Sequence, residues 1–123
     1  MLSLEKLTIS IYARGLLLAD EEIQALVGDK IFPSIAPTDT PSPFVVYERD
    51  AYSTYDTKFG IYREEAKVVF EVVTDDYDEG LQIAVAIHRV LQGKHGEFDF
   101  QIVDSAEFHR EGKFRQLLDF KIV

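Results

Sequence analysis

The chain alternates between two hydrophobic rhythms. Near the N-terminus, Leu4, Leu7, Ile11 and Leu18 recur at helical steps, with Glu5, Lys6, Ser10 and Arg14 between them. That spacing predicts an amphipathic helix with Ser3 as its cap. Thr8, Ile9, Ile11 and Tyr12 are poor helix formers and Gly15 weakens the far end, so packing must hold it. A second short helix follows, with Asp20 as cap, Ile23, Leu26 and Val27 as stripe and Gly28 as stop. The rhythm then changes to period two. Phe44 to about Tyr52 reads as a strand with Phe44 and Val46 on one face and Val45 and Tyr47 on the other. In Ala66 to Thr74, Val68, Phe70 and Val72 oppose Val69, Glu71 and Val73. Helical spacing returns at Ile83, Ala84, Ile87, Val90 and Leu91, behind Asp76 and Glu79 at capping-box distance. Gln92 to Gly96 ends that helix as a turn. Phe98, Phe100 and Ile102 alternate again, as do Leu118, Phe120 and Ile122, joined by a turn at Glu111-Gly112.

Helix, helix, hairpin, helix, hairpin is the resulting order. Hairpin-linked strands imply an antiparallel sheet, and helices bury their stripes against one face of it. The predicted fold is α+β: a two-layer antiparallel sheet of about four hairpin-linked strands, with helices packed chiefly on one face. It spans residues 1–123 as a single domain. The expected core comprises Phe44 or Val46, Val68, Phe70, Val72, Ile87, Leu91, Phe100, Ile102, Leu118 and Phe120.

Between the second helix and the first long strand lies Gly28 to Tyr47, which holds all four prolines: Pro33, Pro37, Pro41 and Pro43. Proline fixes φ and removes a donor, so this stretch continues neither the helix nor a central strand. It reads as an extended connector, with Lys30 to Ile35 as a short edge strand broken at Pro33.

Composition narrows the function more than the fold. Hydrophobic residues are 46% and charged residues 28%, ordinary for a globular chain. The net charge of −9 makes a poor nucleic-acid binder, so no specific nucleic-acid contact is expected. No apolar run approaches membrane-spanning length, and Met-Leu-Ser-Leu-Glu-Lys does not begin a secretory signal, so no membrane partner is expected. With no cysteine, disulfides and thiolate chemistry are excluded.

The residues offer no catalytic, cofactor-binding or metal site. Asp75, Asp76, Asp78 and Glu79 fail as a calcium loop: Tyr77 occupies the third position and Ala86 the twelfth, where the closing Glu belongs. They read as a charged helix start. His88, His95 and His109 lack metal-ligand spacing. There is no nucleophile elbow, and Gly93-Lys94-His95-Gly96 is too short for a phosphate loop. The chain is therefore expected not to be an enzyme.

One group stands out. Ala51 to Glu65 is polar and turn-forming, yet holds Tyr52, Tyr55, Phe59 and Tyr62. It reads as the distal part of a long hairpin. Two readings stay open: cross-strand packing, or an interface at which Tyr and Phe are favoured. The interface reading makes the segment a subunit or partner contact that orders on docking. Leu16-Leu17-Leu18 is more apolar than two layers need, which suggests a second covered surface.

The order "short helix, Leu-Val-Gly-Asp-Lys-Ile-Phe-Pro, Ala-Pro-x-x-x-Pro-x-Pro-Phe-Val-Val-Tyr" resembles a family of small tailed-bacteriophage and prophage proteins. These are tail-completion (tail-terminator, tail-to-head joining) proteins. The resemblance continues through Ala66 to Thr74 and the following helix, and in the last quarter is one of pattern. It implies the same α+β architecture and a structural role: closing the tail tube and joining tail to head as a homo-oligomeric ring, typically a hexamer. The implied partners are further copies of the chain, a tail tube protein and a head-completion or connector protein. The implied location is the virion tail, after assembly in the host bacterial cytoplasm. From the residues alone, the alternatives are a small cytoplasmic protein-binding module or a small hydrolase with an unrecognised site.

Overall fold

The computed structural model describes residues 5–123, and at 61 and 62 the backbone only. Ser3 and Leu4, the expected cap and first stripe residue, lie outside the described residues. A 3-10 turn (Glu5–Thr8) leads into α1 (Ile9–Leu18), α2 (Glu21–Val27) and β1 (Ile31–Pro33). Then come β2 (Phe44–Thr57), β3 (Gly60–Thr74), α3 (Tyr77–Leu91), β4 (Gly93–His95), β5 (Phe98–Arg110) and β6 (Lys113–Ile122).

The strands form one sheet in the order β1-β2-β3-β6-β5-β4. Six strands replace the expected four, and the sheet is mixed: β1 runs parallel to β2, while the other pairs are antiparallel. The two strands beyond the four hairpin strands are three residues long and sit at the edges; β1 lies within the edge strand expected over Lys30 to Ile35. The connector makes β1 possible. It returns the chain so that Ile31 pairs with Val45 and Pro33 with Tyr47, and at an edge the proline's missing N–H costs no ladder bond. Gly93-Lys94-His95, expected to be only a turn, pairs with Phe100, Asp99 and Phe98 as β4. Gly93 (φ 107°) and Gly96 (φ 62°) supply the left-handed bends that let the chain reverse on either side.

The helices cover one face. Beneath them lie Val45 and Tyr47 from β2, Ala66, Val68, Phe70 and Val72 from β3, Phe100 from β5, and Leu118, Phe120 and Ile122 from β6, all buried. The expected Phe44 and Val46 are half-buried on the opposite face, because the alternation of β2 turns Val45 and Tyr47 inward instead. Ile102 is half-buried at the core's margin. Phe70 is the centre, edge-on to Phe120 at 5.9 Å and beside Tyr47 at 6.1 Å between ring centroids.

The N-terminal helix has a different inner stripe from the one expected. Ile9, Ala13 and Leu17 are buried, whereas Leu7 and Ile11 are exposed. Leu7 precedes the first α-helical residue, so counting from it sets the wrong phase. Two tethers fix the rotation: Arg14 Nε donates to the Ile31 carbonyl (2.9 Å), and Arg49 Nη1 to the Leu7 carbonyl (2.7 Å). Leu16 and Leu18 pack partly buried against the core on either side of the fully buried Leu17.

Both other helices start as their sequences require. The Asp20 carboxylate accepts from Ile23 N (3.1 Å), and that of Asp76 from Glu79 N (2.9 Å). Asp75 pairs with Lys113 and accepts from Ser42 Oγ (2.7 Å), tying the connector's end to β6 and the start of α3. The acidic run is thus a cap and a staple.

Gly80 lies inside α3, where alanine ordinarily gains about 1 kcal/mol in helix propensity. Here a Cβ would stand 2.9 Å from Thr74 Oγ1, itself held by a hydrogen bond to the Asp76 carbonyl (2.7 Å). We expect Gly80→Ala to destabilise the protein, by about 1–3 kcal/mol for overpacking. Urea unfolding that showed a raised midpoint would contradict this.

Candidate assembly surface

Beyond Ala66, β3 leaves β6 and pairs with β2 alone. From Ser53 to Glu65 the hairpin is therefore a two-stranded arm, turning at Lys58-Phe59 and extending past the body of the sheet. Its register shifts twice, between Arg49 and Ala51 and between Tyr55 and Asp56. A third shift, between Ile102 and Asp104, lies in β5.

The four aromatics occupy unlike environments. Tyr52 sits at the base, half-buried against the core, and its hydroxyl donates to Glu64 Oε1 (2.7 Å). That bond and burial raise the Tyr52 hydroxyl above its ordinary pKa, and it secures the buried Glu64 carboxylate. Tyr52 thus packs at the base of the arm. Tyr55 is exposed midway along the arm, with the Arg63 guanidinium 5.1 Å from its ring centroid. Phe59 is at the tip and 87% exposed, more than any other large hydrophobic side chain among the described residues. Lys58 Nζ lies 5.3 Å from its ring centroid. The side chain of Tyr62 lies outside the described residues.

At the other end of β2 the structure shows a feature the sequence did not disclose. The connector borders the helix-free face of the sheet, leaving a groove of about 540 Å³. Ile35 and Pro37 form one side, with Phe44, Val46 and Val73 as apolar floor. Both ends of the connector are pinned. Ser34 N donates to the Tyr47 carbonyl (2.8 Å), Lys30 Nζ to the Pro41 carbonyl (3.1 Å) and Val45 N to the Lys30 carbonyl (2.9 Å). Arg115 Nη1 donates to Glu71 Oε1 (2.7 Å) along the far wall. No sequence period reports such a groove, because its two sides come from residues far apart in the chain.

The same face carries a smaller hollow lined by Asp50, Asp104, Asp119 and Leu117. Asp119 Oδ1 is buried there with no hydrogen-bond partner among the described residues. Burial, then Asp50, push the Asp119 carboxyl above the ordinary carboxylate range; Lys67 opposes this and Asp104 adds to it. An acid with a raised folded-state pKa holds its proton more tightly when folded, so this group's contribution to stability declines as pH rises through that pKa. Asp119→Asn should therefore raise the melting temperature at neutral pH. The gain should shrink on acidification towards the ordinary carboxylate value, where wild type is itself neutral. Thermal scans of both proteins across pH check this, and a gain independent of pH would contradict it.

The histidines are dispersed. His88 and His109 are exposed, and His95 contacts the Leu91 carbonyl through Nε2 (2.9 Å) and Phe100 edge-on at 5.4 Å. Among the described residues no group of three or more His, Cys, Asp or Glu could hold a metal ion. No helix among them is long and apolar enough to cross a membrane.

The two-layer α+β fold recurs in a chain of a virion particle. The chain is similar to one in the solved structure "Virion of native gene transfer agent (GTA) particle", with a TM-score of 0.77 and 20% identity, over 89% of each chain. The sequence model of the family "Tail completion protein gp17" matches residues 11–123. The chain belongs to that family and is a structural protein of the phage tail. No curated protein sequence matches it.

Proposed function

We propose that residues 1–123 act as one α+β unit that terminates the tail tube and helps join tail to head, as a homo-oligomeric ring, by analogy a hexamer. The arm is the observation that carries this reading. A ring needs two unlike surfaces on each copy, in a heterologous contact that closes. The arm supplies one: a projecting ribbon with Tyr55 and Phe59 exposed, which does little for its own core. The partners are other copies, a tail tube protein and a head-completion or connector protein. The working location is the virion tail, reached from the host bacterial cytoplasm. A structural family favours this over a protein-binding module or a hydrolase, and we propose no catalytic role.

The isolated chain is expected to be a monomer or weak oligomer that becomes a ring on the tail end. The net charge of −9 per copy adds repulsion that a tail surface offsets. Light scattering that found a tight ring at low micromolar concentration would contradict this. The function itself is tested by electron microscopy of particles made without the chain. Tails of uncontrolled length or detached from heads are expected, and joined particles of normal length would refute the assignment.

A further inference from the structure

We infer that the arm tip of one copy docks in the connector groove of the next, with Phe59 on its apolar floor. This inference rests on the arm being an assembly contact and names the receiving site, which nothing above assigns. The two most exposed large hydrophobic side chains among the described residues are Phe59, at 87%, and Ile35, at 79%. They lie at opposite ends of β2, one at the tip of the arm and the other on the groove's rim. At about 3.3 Å per residue the tip stands roughly 45 Å from Phe44, so a chain cannot fill its own groove. Only a second copy can bring the two together.

Charge fits as well as shape. Lys58, beside Phe59, makes no ion pair among the described residues. Across the groove, Arg115 is engaged by Glu71 and Lys113 by Asp75, while Asp39 on the connector has no cation paired with it among the described residues. The tip thus presents an aromatic ring next to an unpaired cation. The groove presents an apolar floor next to an unpaired carboxylate. Joining one end of a copy to the other end of the next is a head-to-tail contact, the kind that generates rings.

The cysteine-free sequence gives a direct test. Asp56→Cys, exposed near the arm tip, and Thr38→Cys, exposed on the connector, are made as separate single variants of the full chain, mixed at high concentration, and oxidised. Catalysed oxidation traps even transient contacts, so a stable ring is not required. A disulfide-linked pair is expected several-fold above a control in which Val85→Cys, exposed on α3, replaces Thr38→Cys. Phe59→Ser added to the Asp56→Cys chain should bring the yield down to control level, and Phe59→Trp should preserve it. Yield no higher than the control overturns the groove as receptor. If Phe59→Ser still blocks assembly into tails in that event, the arm stands as a contact and only its receptor is wrong. If Phe59→Ser leaves both cross-linking and tail assembly intact, the arm itself is not the contact and both readings fall.

Discussion

Phe70→Ala is expected to cost about 3–5 kcal/mol of stability, enough to leave little folded protein at physiological temperature. Phe70 is fully buried on β3, between the ladders to β2 and β6. Truncation removes the ring that meets both Tyr47 and Phe120, so the loss includes two aromatic contacts as well as the cavity. Neighbours from three strands held in hydrogen-bonded register cannot easily collapse into the space. A fall in melting temperature of roughly 10–20 °C should accompany it. A loss below about 1 kcal/mol by urea unfolding would mean that the core is centred elsewhere.

The second large effect is on assembly. Replacing Tyr55 and Phe59 together by Ser should leave thermal stability nearly unchanged, within about 1 kcal/mol, since both side chains are exposed. The same double variant should fail to enter tails. Tyr52, packed against the core and bonded to Glu64 across the hairpin, is retained in the variant. Two measurements are needed: a melting curve, and a count of joined particles in a background lacking the native chain. A variant that unfolds like a core mutant would return these aromatics to hairpin packing. A stable variant that assembles normally would move the interface elsewhere.

These two residues mark how far the sequence was legible. The long strands, their alternation and the caps at Asp20 and Asp76 were readable because each depends on neighbours within a few residues. Phe70 could be placed in the core from periodicity alone. Strand β1 lies within the edge strand expected over Lys30 to Ile35, but its parallel pairing was harder to read, since a proline-rich coil substitutes for the usual crossover helix. The phase of α1 was misread because its rotation is fixed by Arg14 and Arg49, which bond to carbonyls of distant or preceding segments. The arm was visible as a polar segment with misplaced aromatics. What composition could not reveal was that Tyr52 is tied to the body and Phe59 is not. The groove was invisible, because its two sides meet only through tertiary folding.

The register shifts within β2 and β5 have a consequence for how copies can associate. β1 covers β2 only from Val45 to Tyr47, and β4 covers β5 only from Phe98 to Phe100, so among the described residues long stretches of both strands border the sheet with no strand paired to their outer edge. A flat strand of that kind recruits further strands without limit, which ends in fibres. Each bare border instead carries an irregularity, skipping Asp50 in one and Val103 in the other, and acidic side chains flank both. Bulges twist an edge away and charge repels an incoming strand. Growth by endless backbone pairing is thereby discouraged, and neighbouring copies are left to recognise each other through side chains, whose number of contacts is finite.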